Sequence, residues 1–71
     1  MTELGLYLSR RSVNRSDVAR KTGISTTRLS DLSNNTRTKL RASELYKIAL
    51  AIEANPCEIF IEICKDIKLP K

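Results

Sequence analysis

The stretch Asn14-Arg15-Ser16-Asp17-Val18-Ala19-Arg20-Lys21-Thr22-Gly23-Ile24-Ser25-Thr26-Thr27-Arg28-Leu29-Ser30-Asp31-Leu32 decides how this 71-residue chain folds. It reads as two short helices joined by a tight turn. Asn14 can accept a bond from a backbone N–H two or three residues on, and Asp17 stands where the acid of a capping box belongs. Ser25 can cap a second helix that starts at Thr26. Between them Gly23 takes the left-handed conformation that ends a helix, which costs a residue without a Cβ nothing. Val18 and Ala19 face inward from the first helix, Ile24 sits in the turn, and Leu29 and Leu32 face inward from the second. The rest of that second helix (Thr26, Thr27, Arg28, Ser30, Asp31) is polar. A helix with two inward residues and a polar remainder is presented rather than buried.

Working outward, a first helix is expected from Thr2 or Glu3 to about Arg11, with Leu4, Tyr7 and Leu8 on its inner stripe and Thr2 as its cap. Val13 precedes the Asn14 cap as a staple residue. Ser33 to Leu40 shows no helical period, and Asn34 and Asn35 are candidates for left-handed residues that end the preceding helix. Leu45, Ile48, Ala49 and Ile52 recur at helical spacing, so a fourth helix is expected over Ala42–Ala54. Asn55-Pro56 opens a fifth, with Asn as cap, Pro in the first turn and Glu58 completing a box. Ile59, Phe60, Ile63 and Ile67 lie on one broad side of it. That side either closes the core over the first helix or serves a two-fold dimer through Ile59, Ile63 and Ile67. One domain over residues 1–69 is expected, with 70–71 frayed.

The charge is unevenly placed. Nine Lys and Arg against three Asp and Glu give Met1–Arg41 a net +6, whereas Ala42–Lys71 sums to −1. A basic half suggests an anionic partner. Cys57 and Cys64, seven apart on one helix, would be about 10 Å apart, beyond the roughly 7 Å reach of a disulfide. They are expected to be free, partly buried core thiols, and without histidine they make no usual zinc site. No metal or cofactor is expected. Nor is catalysis: there is no histidine for proton transfer near neutral pH, no Ser or Cys with a base beside it, and no glycine-rich phosphate loop. No apolar run approaches the length of a membrane span, and the N-terminal basic residues follow the apolar ones, the reverse of a signal peptide. A cytoplasmic location is expected.

Counting from Arg15, alanine falls fifth (Ala19), glycine ninth (Gly23), and apolar residues fourth, tenth, fifteenth and eighteenth (Val18, Ile24, Leu29, Leu32). This pattern resembles the helix-turn-helix of the phage repressor/Cro type, also called the XRE family. The later run Leu45-Tyr46-Lys47-Ile48-Ala49-Leu50-Ala51-Ile52 through Phe60 is similar to that family's ending, so the resemblance covers about Leu4 to Phe60. It implies a compact, all-α, five-helix, lambda-repressor-like fold that binds double-stranded DNA as a small transcriptional regulator, acting as a repressor and a homodimer.

Chemistry and resemblance together name the candidate site. The major groove admits one helix, and residues 26–32 have the polar outer face that such a helix needs. By resemblance, Thr26, Thr27 and Asp31 match base-contacting positions. Thr bonds either base type or touches the thymine methyl, and Asp accepts from cytosine N4. Asp31 could instead pair with Arg28 three residues before it. Arg28 could reach a base edge or a phosphate. Arg15, Ser25, Arg37, Lys39 and Arg41 are candidate phosphate contacts, with Arg10 just before them. The rival reading is a protein-interaction module, or an antitoxin-type partner protein, that keeps the fold.

Overall fold

Among the described residues, four of the five helices begin at a side chain that takes up a free N–H group of the first turn. The computed structural model describes residues 1–70 and contains α1 (Glu3–Arg10), α2 (Arg15–Thr22), α3 (Thr26–Asn34), α4 (Ala42–Ala51) and α5 (Pro56–Cys64). Thr2 Oγ1 accepts from the Gly5 N–H, Asn14 Oδ1 from Ser16, Ser25 Oγ from Arg28 and Asn55 Oδ1 from Cys57. The two expected capping boxes close on one side only. Asp17 turns outward to Arg20 at 2.8 Å instead of reaching back, and α5 shows the Asn55 bond without a return from Glu58. A returning acid appears at α4 instead, where Glu44 accepts from the Arg41 N–H.

The core forms where the apolar stripes meet. Leu4, Leu8, Val18, Leu29, Leu32, Leu45, Ile48, Ala49 and Ile59 are buried in one cluster. Leu29, Ile48 and Ile59 have no exposed surface, so the centre lies between α3, α4 and α5. Full burial of such side chains contributes about 1.5–3 kcal/mol each. α3 packs on α1 and α2, α4 on α2 and α5, and α5 on α1.

Three helices end with a residue in the left-handed region. Gly23 (φ 78°) does so after α2, as its sequence suggests. Ser12 (φ 54°) and Glu53 (φ 58°) do so after α1 and α4. Val13 N–H bonds the Leu8 carbonyl and Ala54 N–H the Ala49 carbonyl, the six-to-one bond of a Schellman ending. This corrects the expected fourth helix: it stops at Ala51, and the turn at Glu53 sends Ala54 into the interior.

The end of α3 departs from expectation for a different reason. Neither Asn34 nor Asn35 is left-handed; Asn35 is extended (φ −103°, ψ 110°). The last carbonyls of α3 are satisfied from outside the helix. The Thr2 N–H donates to the Ser33 carbonyl at 2.8 Å, and the Thr2 hydroxyl donates to the Leu32 carbonyl at 2.6 Å. Thr2 therefore caps the start of α1 and the end of α3 together. Gly5 makes the approach possible, because a Cβ there would lie 2.2 Å from the Ser33 carbonyl oxygen.

α5 also needs correction. Ile59 is buried and Ile63 half-buried, but Phe60 is 55% exposed, and Ile67 lies beyond the helix end and is 75% exposed. The expected inward side is therefore Ile59 and Ile63, one turn apart. Cys57 is exposed rather than partly buried, and Cys64 is half-buried; both are free thiols. Of the two residues expected to fray, Lys71 lies outside the described residues.

Candidate nucleic-acid interface

At 3.6 residues per turn, α3 sorts its side chains by angle. Leu29, Leu32 and Ser33 point inward and are buried. Thr26, Thr27, Asp31 and Asn34 are exposed, with Ser30 half-buried among them. Together these five span an arc of about 140°. Ser30 and Asn34 are not among the sequence-based candidates for base contact, although the helical period places them between Thr26 and Asp31. The face is held from below by Leu29 and Leu32 and at its ends by the Ser25 cap and the Thr2 clasp.

Arg28 takes a different position from the one expected. It lies on the flank of α3 next to Leu32, and its guanidinium turns away from the polar arc toward α4. Arg28 Nε donates to Glu44 Oε2 and an Arg28 terminal nitrogen donates to Glu44 Oε1, both at 2.9 Å. The same terminal nitrogen donates to the Lys39 carbonyl at 2.9 Å. Such a planar, two-pronged pair is geometrically specific. The alternative pairing of Arg28 with Asp31 is not formed; Asp31 stays on the exposed arc. The Glu44 side chain is only 12% exposed. Hydrogen bonding from Arg28 holds its carboxyl down from 4.5 to about 2, against an opposing push from burial. Glu44 itself escaped the sequence reading. Its partner is 16 residues away, and no local spacing connects them.

The segment 35–41 runs from α3 to α4 with Arg37, Lys39 and Arg41 exposed. Asn35 Oδ1 accepts from the Arg37 N–H, and the Thr38 N–H donates to the Asn35 carbonyl. The structure therefore brings three cations to the flank of the polar helix. Arg15 is half-buried in the first turn of α2, beside Met1, Gly5 and Ser9, near the α1 end that clasps α3. Arg10 does not join this group. It sits 3.7 Å from Glu62 on α5, while Arg11 stacks 4.9 Å over the Tyr7 ring.

A second surface lies where α4 and α5 meet the 36–42 segment. An apolar groove there is lined by Leu4, Leu32, Leu40, Leu45, Phe60 and Ile63. Tyr46 and Phe60 are each 55% exposed beside it.

A buried-backed polar helix after a glycine turn, flanked by cations, defines a helix-turn-helix DNA-binding domain. The family model of the Cro/C1-type HTH DNA-binding domain matches residues 3–65, and the chain belongs to that family, the XRE-type helix-turn-helix proteins. No curated protein and no solved structure matches the chain. Its partner is accordingly DNA, and its class that of DNA-binding regulators. No helix of the described residues is long and apolar enough to cross a membrane.

Proposed function

We propose that the protein binds duplex DNA sequence-specifically and acts as a repressor, with α3 in the major groove. The observation that carries this is the polar arc of Thr26, Thr27, Ser30, Asp31 and Asn34, exposed except for half-buried Ser30, on a helix whose other side buries Leu29, Leu32 and Ser33. Thr26, Thr27 and Asp31 read base edges from the first turns of α3, and Asn34 extends the reading surface. Ser25, Arg15, Arg37, Lys39 and Arg41 hold the phosphates. Arg28, held by Glu44, is left out of the contact set, and Arg10, exposed beside Glu62 on α5, stands apart from it. Two protomers on a two-fold operator would pair through the apolar surface around Phe60 and Ile63, with half-sites about one helical turn apart.

The test is binding to genomic fragments by the parent and by a Thr26→Ala/Thr27→Ala variant. The variant should lose about 0.5–1.5 kcal/mol on the best fragment for each hydrogen bond to a base removed, with its salt slope unchanged. Parental affinity in the variant would show that α3 reads through other residues.

The exposed Tyr46 and Phe60 beside the apolar groove favour a second reading, in which this surface docks a protein partner. Elution from heparin resin separates the two. Four or more phosphate contacts make release strongly salt-dependent, by about 0.9 log units in affinity per contact and log unit of salt. Release at low salt, with no fragment bound, favours the protein-docking reading.

A further inference from the structure

We propose that Glu44 is a positioning residue for DNA binding: through Arg28 it sets the angle of α3 and the course of the basic segment 35–41 as one unit. The proposal rests on the reading of α3 and this segment as the DNA face. Glu44 stands in the first turn of α4, outside both elements, yet it touches each of them. Oε2 takes Arg28 Nε from α3, and Oε1 takes the Arg28 terminal nitrogen together with the Arg41 N–H. The Arg28 guanidinium then reaches on to the Lys39 carbonyl. One carboxylate thus gathers the flank of α3, the middle of the segment and the start of α4. These bonds fix the backbone at Lys39 and Arg41, two of the three exposed cations that flank α3. A phosphate contact is made at a set distance from a base contact, so its strength depends on that registration.

The placement is not what charge alone would favour. A carboxylate beside a DNA-binding segment repels phosphate, and it occupies the one arginine of α3. Replacing Glu44 by Gln adds a unit of positive charge, so on Coulombic grounds alone the variant should bind DNA more tightly, with a steeper salt dependence. Positioning predicts the opposite sign. Gln keeps the size and can still accept one bond, but it cannot hold both prongs of the guanidinium as acceptors. The tie between α3 and the 35–41 segment then loosens.

The experiment compares the full chain with Glu44→Gln and Arg28→Lys. Fluorescence anisotropy follows the tightest genomic fragment and an unrelated duplex of equal length, over a salt series. Circular dichroism selects a temperature at which each variant is folded. Arg28→Lys preserves the charge but removes the planar fork. The expected result is about a tenfold loss on the selected fragment in both variants, equivalent to a 1.4 kcal/mol difference, with little loss on the unrelated duplex. Folded Glu44→Gln that binds the selected fragment as tightly as the parent, or more tightly, overturns the proposal. Where Glu44→Gln does not fold, Arg28→Lys decides by the same criterion. A parent that binds no duplex at all overturns the DNA-face reading and the proposal with it, and is recognised before any variant is measured.

Discussion

α3 and α5 are both nine-residue helices with one side on the same core, but they are held in different ways. α3 turns a polar side outward and is tied at both ends by directional bonds: Thr2 to its last carbonyls, and Arg28 to Glu44 and Lys39. α5 turns Phe60 and Ile61 outward and rests on buried Ile59. Its charged ties, Glu62 to Arg10 at 3.7 Å and to Lys65 at 3.0 Å, are exposed. Apolar burial is non-directional and tolerates small rotations, whereas a hydrogen bond does not. A surface that meets a rigid partner needs angular precision. The two helices show how one core can supply a firmly oriented face and a less constrained one.

Two effects of similar, large size are expected, and the first comes from forcing α3 off its clasp. Gly5→Ala places a methyl against the Ser33 carbonyl, and overpacking of this kind costs about 1–3 kcal/mol. Urea denaturation should register that loss as a lower midpoint. An unchanged midpoint would mean that α1 and α3 can separate freely and that α3 is no more constrained than α5.

Acid should act on the other tie. The Glu44 carboxyl is depressed in the folded protein, so its stabilisation is present in full above about pH 4.5 and is lost as pH falls toward 2. A depression from 4.5 to about 2 corresponds to roughly 3 kcal/mol as an upper bound. Thermal melts of the parent between pH 6 and pH 2 should therefore show a steeper fall in Tm than melts of Glu44→Gln. Parallel curves would remove the Arg28–Glu44 pair from the list of ties.

The smallest effect is expected on α5. Hydrogen bonding to Lys65 lowers the Glu62 carboxyl, but the pair is exposed and screened by solvent, so it adds little net stability. Glu62→Gln should leave Tm nearly unchanged. A loss as large as that of Glu44→Gln would erase the contrast between the helices.

The features legible in the sequence were those made by neighbours in the chain. Asn14, Ser25 and Asn55 cap helices through bonds two or three residues long, and Gly23 turns the chain where it stands. The heptad-like recurrence of Leu45, Ile48, Ala49 and Ile52 marked α4. What escaped reading was made by residues distant in sequence. Ser33 meets Thr2 across 31 positions and Glu44 meets Arg28 across 16, and neither pairing has a local signature. The outer arc of α3 could be read from its period, but the departure of Arg28 from that arc could not, because a long side chain chooses among partners that only the fold assembles. Phe60 departs from the expected inward side because helical periodicity does not distinguish the edge of an apolar side from its centre.

Thr2 gives the reading helix an unusual dependence. Chain termini are ordinarily the first segments to open, and opening units often follow contacts rather than sequence. Here a single hydroxyl near the N-terminus serves two helix ends that lie 30 residues apart. When that residue lifts away, the first turn of one helix and the last turn of another lose their partners in the same event, so the two form one cooperative unit of opening.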